Sequence, residues 1–188
     1  MTPRLTLAAA AGLCQDAPPA NPDLIMNTKT YFTEFSSPIG TIQLRGTEAA
    51  LTGVFMEEHR REPARPSGAV RDAAPLRSAQ RELEEYLAGE RREFSVALEP
   101  TGTPFQRRVW QELRAIPYGQ TISYVELARR VANPRAIRAV GQANGRNAIS
   151  IIVPCHRVIA ADGSLGGYGG GLTRKRHLLA LEGCVVPL

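Results

Sequence analysis

A thiol and an imidazole stand side by side in Pro154-Cys155-His156-Arg157-Val158, with a guanidinium next in line. Cysteine is nucleophilic as its thiolate. Nearby positive charge, or a base able to take the proton, raises the supply of that form near neutral pH. Pro154 restricts Val153 to an extended shape and stiffens the turn. The apolar run from Ile149 to Val153 predicts a buried strand that ends at the cysteine. Together these residues read as a reactive cysteine on a rigid mount. The competing reading is a small buried hydrophobe behind a core strand.

The rest of the composition narrows the chemistry. The 188 residues suit one domain or two small ones, and 43% hydrophobic content supports a core. Three widely spaced cysteines, Cys14, Cys155 and Cys184, make no C-x-x-C and no disulfide framework, which fits a reducing, cytoplasmic setting. His59, His156 and His177 lack paired-ligand spacing, so no metal site is expected. Charge is unevenly distributed. Residues 1–100 carry a net −3 and residues 101–188 a net +8, and 11 of the 12 cations in the second part are arginine. Such a basic half is the footprint of a polyanion such as nucleic acid; the alternative is a merely soluble basic face.

No run of 18 apolar residues is present, so no membrane span is expected. Ala11-Gly12-Leu13-Cys14 has the order of a lipoprotein cleavage site. The single preceding cation, Arg4, and the short apolar stretch argue against a signal peptide. Residues 1–28, with Pro18, Pro19 and Pro22, are predicted to be a disordered extension, and Met26 is a second candidate start.

Positioning elements can be read from periodicity and punctuation. Residues 29–100 predict a small α/β domain with a short antiparallel sheet. Its strands are Thr30–Ser36, Thr41–Arg45, Leu51–Met56 and Phe94–Leu98, with a helix over Ala74–Ala88 and a loop over Arg60–Gly68. No chemistry is visible in this half, and its charged residues read as solvated surface. Residues 101–188 predict a mostly helical domain. Thr103 caps a helix that opens with Pro104, and Ser123 caps a second over Tyr124–Val131. A three-residue turn leads to a third helix, Arg135–Asn144, so the pair reads as a winged-helix-like helix-turn-helix. Ala136, Ala139, Gly141 and Ala143 give that helix a small-residue surface from which Arg138 projects. Close approach to a partner and close helix packing are equally open there. The glycine-rich stretch Gly166–Gly171 matches neither a phosphate-binding loop nor a dinucleotide fingerprint, and reads as a mobile pocket wall. Thr173 is expected to cap a last helix ending at Gly183. The overall class is therefore α/β (α+β).

Several ordered motifs over residues 103–183 resemble the catalytic domain of the O6-alkylguanine-DNA alkyltransferases, the methylated-DNA–protein-cysteine methyltransferases. They are Ile122-Ser-Tyr124, Asn133-Pro134, Arg138-Ala-Val-Gly141, Asn144–Asn147, Pro154–Val158, Gly166–Gly171 and Leu178–Gly183. The match over residues 30–98 is weaker and rests on Ser37-Pro-Ile-Gly40 and element order.

The resemblance implies repair of O6-alkylguanine in double-stranded DNA by irreversible transfer of the alkyl group to Cys155. It implies a Cys–water–His–Glu chain through His156 and Glu182. On an extended chain, adjacent residues point apart, so the water is expected to bridge thiol and imidazole. It further implies donation from Tyr124 to N3 of the base, and an active-site buttress at Asn147. The base pocket would be lined by Pro154, Val158, Tyr168 and Gly169. Many relatives carry serine at the last of these, so a wider pocket or a weaker contact to O6 is expected. Arg138 would replace the flipped base from the minor groove, with Tyr124, Arg135, Ala136, Ala139 and Gly141 on the DNA-facing surface. No cofactor and no obligate protein partner are implied, and a monomer is expected. Three alternatives stay open. One is a lesion-recognition protein without transfer. Another is a regulator alkylated at Cys14. The last is a cysteine hydrolase using Cys155 and His156.

Overall fold

The computed structural model describes residues 29–184; the extension predicted for residues 1–28, with Cys14, lies outside the described residues. β1 (Tyr31–Ser37) and β2 (Gly40–Gly46) form an antiparallel hairpin in which Ser37 pairs with Gly40. β3 (Leu51–Met56) pairs antiparallel with β2, and the short β4 (Val70–Arg71) adds in parallel to the other edge of β1. The cross-strand pairs Ile42–Met56 and Leu44–Val54 are almost wholly buried. They join one core with α1 (Arg77–Leu87), whose buried stripe is Ala79, Leu83, Tyr86 and Leu87. A one-turn 3-10 helix over Ala74–Leu76 leads into it.

The second part opens with α2 (Pro104–Arg114). Thr103 forms a complete capping box with Gln106, which satisfies amides the first helical turn would leave bare. Val109, Trp110 and Leu113 face inward, and the Trp110 indole donates to the Ala143 carbonyl at 2.9 Å. β5 (Ile122–Ser123) runs straight into α3 (Tyr124–Arg130), with Ser123 as its cap. α4 (Ile137–Asn144) completes the helix-turn-helix. β6 (Val158–Ile159) pairs in parallel with β5, and α5 (Leu172–Leu181) closes the core. Among the described residues no helix is long and apolar enough to cross a membrane.

Several local expectations are corrected. Phe94–Leu98 is not a strand; only Leu98 bridges, in parallel, to Leu51. The run Ile149–Val153 is buried but coiled. Ile149 alone bridges to Val54, and the chain then reverses through Ile151 at φ +73°, with Val153 N–H returning to the Ile149 carbonyl. Apolar content demanded burial there, and burial does not specify a strand. The connection between α3 and α4 spans residues 131–136 rather than three residues. Arg135 and Ala136 therefore lie on the turn and not on the helix. The cap of α5 is Gly171, at φ +87°, and Thr173 falls inside the first turn.

The glycine-rich loop is anchored rather than free. Arg60 N–H donates to the Gly169 carbonyl at 2.9 Å, and Arg174 donates to the Gly170 carbonyl at 3.1 Å. A Cβ on Gly169 would stand 2.6 Å from His59 Nε2, and one on Gly170 would stand 2.5 Å from Met56 Sδ. The space that a side chain at position 169 would use is thus filled by His59. The pocket is not widened there. Burial, with help from the Arg174 charge, holds the His59 pKa at about 4, so this ring is a neutral packing element at pH 7. Gly169→Ser is expected to destabilise the fold by about 1–3 kcal/mol through overpacking. The double variant Gly169→Ser/His59→Ala should be less destabilised than the sum of the singles in urea unfolding.

Candidate active site

Cys155, His156 and Arg157 form a single 3-10 turn between the coiled apolar segment and β6. The cysteine and histidine are therefore not on extended chain, and the turn corrects that premise. All three side chains are buried. Asn147 fixes the thiol from one side. Its Nδ2 lies 3.1 Å from Cys155 Sγ and 2.8 Å from the Val153 carbonyl, while its Oδ1 accepts from Ile149 N–H at 3.0 Å. Both ends of this amide are engaged, so its orientation is set by its partners.

Glu182 caps the C-terminal end of α5 and is 5% exposed. A carboxylate there opposes the helix dipole and loses its hydration. Four residues offset those costs. Tyr86 donates to Oε1 at 2.5 Å, and His156 Nε2 lies 2.9 Å from the same oxygen. Arg157 reaches both oxygens, through Nε at 2.9 and 3.1 Å and through Nη2 at 2.9 Å. Gly119 N–H donates to Oε2 at 3.2 Å. Gly119 itself sits at φ +76°, and a Cβ there would come within 3.0 Å of the Glu182 carbonyl. Burial alone would raise the Glu182 pKa, but the hydrogen bonds from His156 and Arg157 hold it down to about 2. It is an anion at every physiological pH.

That anion settles the histidine. With Nε2 facing a carboxylate, the proton belongs on Nε2, which leaves Nδ1 as a bare acceptor. His156 Nδ1 is buried and has no protein hydrogen-bond partner. Burial lowers the His156 pKa and outweighs the contrary pull of Glu182. The ring is therefore neutral at pH 7 and able to take a proton at Nδ1. The thiol is also neutral at rest. Burial raises its pKa, and the Asn147 contact and the Lys175 charge only partly reverse this.

Three groups in this cluster carry no expectation from the sequence. Tyr86 comes from α1, in the half that seemed to hold no chemistry. Arg157 reads in the sequence only as a charge near the cysteine. Lys175 is fully buried and donates to the Val158 carbonyl at 2.6 Å and to the Leu165 carbonyl. Burial brings its pKa down to about 8, against the raising influence of Cys155. It ties β6 to the loop that bears Tyr168. A signal for it exists in the sequence: Lys175, Leu178, Leu179 and Glu182 recur at helical spacing, so the apolar stripe of α5 has an ionisable residue at each end.

The other predicted residues fall into two groups. Pro154, Val158 and Tyr168 are buried around the cysteine turn, and the Tyr168 ring meets the His156 ring edge-on at 6.4 Å. Arg135, Arg138 and Ala139 are exposed on the helix-turn-helix. Tyr124 stands between the groups. Its ring packs beside Gly141 of α4 and Gly166 of the loop, and its hydroxyl is 3.5 Å from the Gly167 carbonyl. The small residues of α4 divide likewise. Ala143 is buried against Trp110, as close packing requires, while Ala139 faces outward.

Comparison with known proteins follows the same division of the chain. Residues 30–100 match the family model for the 6-O-methylguanine DNA methyltransferase ribonuclease-like domain, and residues 104–184 match that for its DNA-binding domain. A methylated-DNA–protein-cysteine methyltransferase of Methanosarcina acetivorans is 50% identical over 153 residues, covering 81% of this chain and 98% of the relative. One from Mycobacterium tuberculosis is 49% identical over 157 residues, covering 84% and 94%. The crystal structure of Mycobacterium tuberculosis OGT in complex with DNA superposes with a TM-score of 0.76 at 48% identity, over 81% of this chain and 92% of that one.

The low Glu182 pKa has a consequence for acid stability. A carboxylate depressed in the folded state contributes stability above its unfolded pKa of about 4.5, and loses it as pH falls toward about 2. The difference in unfolding free energy between wild type and Glu182→Gln should therefore shrink by roughly 3 kcal/mol over that range. Denaturant unfolding at a series of acid pH values reads it directly.

Proposed function

The chain belongs to the O6-methylguanine-DNA methyltransferase family, and from that premise we propose that it repairs DNA by moving the alkyl group from O6 of guanine onto its own Cys155. The observation that carries the reading is a buried thiol held by Asn147, beside an imidazole whose Nδ1 is bare and whose Nε2 faces an anion. Proton transfer from Cys155 through a bridging water to His156 Nδ1 generates the thiolate. Glu182 stabilises the imidazolium that results. The sulfur attacks the alkyl carbon, the carbon–oxygen bond breaks, and its electron pair passes to O6. Tyr124 donates a proton at N3, so the base leaves neutral rather than as an anion. Asn147 keeps the sulfur aimed.

Access sets the rest of the mechanism. A thiol 4% exposed cannot meet a base inside a duplex, so the base leaves the stack, at a cost of a few kcal/mol. Arg138, exposed on α4, fills the vacated position from the minor groove. Arg135, Ala136, Ala139 and Gly141 form the surface that meets the groove. The base then rests among Pro154, Val158, Tyr168 and the Gly169 backbone. The other arginines of the basic half contact phosphates, so binding is salt-sensitive and weakly dependent on sequence. An S-alkyl thioether has no easy hydrolytic route back to thiol. The protein reacts once, as a monomer, without a cofactor. Because the acceptor must remain a thiol, a reducing cytoplasm suits the chemistry.

Intact mass after mixing with a duplex containing one O6-methylguanine tests this reading. The expected result is one methyl increment, capped at one per protein and absent in Cys155→Ala. An unchanged mass despite tight binding would leave a lesion-recognition protein. Continued turnover of an ester would point to a hydrolase.

A further inference from the structure

Tyr86 is wholly buried, and its ring is held by packing. It meets Phe94 at 5.2 Å between ring centroids and Tyr118 edge-on at 6.1 Å. Those ring contacts aim the O–H without help from any polar partner. The hydroxyl lies 2.5 Å from Glu182 Oε1, the same oxygen that His156 Nε2 meets at 2.9 Å. Gly119 takes the other oxygen, and Arg157 spans both. The hydroxyl is 3.5 Å from His156 Nε2, well outside the carboxylate contact, so its influence on the ring runs through Oε1. Burial and the Glu182 charge push the Tyr86 pKa far up, so the phenol keeps its proton and remains a donor.

Two donors on one oxygen compete for its charge. The imidazolium that forms when His156 takes a proton is stabilised by whatever negative charge Oε1 retains. The shorter, charge-assisted bond from Tyr86 draws on that charge first. We propose that Tyr86 is a positioning residue that weakens the base: by occupying the carboxylate oxygen that His156 uses, its hydroxyl limits how well the imidazolium is held and keeps the thiol and imidazole neutral at rest. Without that hydroxyl, the Cys155 proton passes more readily to His156 Nδ1 before any substrate arrives, leaving a thiolate and an imidazolium. The other titratable and charged groups around the ring are Cys155 and Arg157 on its own turn, Lys175 and Glu182 on α5, and Tyr168 from the glycine-rich loop. Arg157 and Lys175 act in the same direction as Tyr86, and Glu182 acts against them. The N-terminal domain therefore sets the strength of a base that it does not itself carry.

The consequence for transfer rests on the alkyl-transfer reading, and the test separates the two. The His156 pKa is measured from imidazole nitrogen chemical shifts in wild type and Tyr86→Phe. Single-turnover methyl transfer from a duplex carrying O6-methylguanine is followed against pH in both. Phenylalanine keeps the ring contacts with Phe94 and Tyr118 and removes only the donor. The His156 pKa should rise by about one pH unit, the worth of one hydrogen bond to a charged group. A raised pKa means that the neutral base is lost at higher pH, so the acid limb of the rate profile should move up with it. A role confined to holding α1 in place would lower stability and leave the His156 pKa where it is. That result, or a lowered pKa, overturns the proposal. If the phenylalanine variant does not fold, a ring-fluorinated tyrosine at position 86 takes its place. Its more acidic phenol is a stronger donor, so the His156 pKa should fall, and an unmoved value overturns the proposal. A wild type that takes no methyl from the duplex would remove the alkyl-transfer reading, while the pKa comparison would still decide the role of Tyr86.

Discussion

The buried negative charge of Glu182 is the constraint around which the molecule is organised. A carboxylate at a helix C-terminus, almost without solvent, is tolerated only when neighbours supply charge and hydrogens. Those neighbours come from distant parts of the chain: Tyr86 on α1, Gly119 after α2, and His156 and Arg157 on the thiol turn. Arg157 also donates to the Ile116 carbonyl at 2.6 Å, which ties the end of α2 to the same anion. The N-terminal sheet and helix are thus part of the site, because α1 delivers the Tyr86 hydroxyl to Glu182. Removing one partner would leave an uncompensated charge in the core, which is far more costly than the net worth of the pair.

The thiol shows the complementary strategy. Its environment keeps it protonated at rest, since burial outweighs the help of Asn147 and Lys175. A resting thiolate would be exposed to any electrophile and to oxidation. A neutral thiol beside a neutral base is inert until a substrate closes the site. The proton then moves toward an imidazole already backed by a fixed anion, so little reorganisation is needed when charge develops. Reactivity in such a site depends on preorganisation more than on a permanently low cysteine pKa.

The sequence reading and the structure agree best where local chemistry dictates form. The Thr103-Pro104 cap, the Ser123 cap and the stripe of α1 are short-range signals, and each appears in the structure at its expected residues. The cluster of Cys155, His156 and Glu182 was legible through ordered motifs, and the structure brings these side chains into one buried group. Burial without periodicity was misread. Ile149–Val153 and Phe94–Leu98 are apolar enough for strands, yet they coil because the sheet offers each only a single bridging position. Tyr86 was hidden for a different reason. It occupies a core position in an amphipathic stripe, and only the tertiary fold shows that its hydroxyl meets an anion 96 residues away.

The most direct measurement of this account is the protonation state of His156, read from imidazole nitrogen chemical shifts in specifically labelled protein across the pH range. At pH 7 the account predicts a neutral ring with hydrogen on Nε2 and none on Nδ1, and a pKa below the ordinary histidine value. On substitution of Glu182 by Gln, the preference for the Nε2–H tautomer should weaken. A ring doubly protonated at pH 7, or one with its hydrogen on Nδ1, would contradict the account, because no base would then face the thiol.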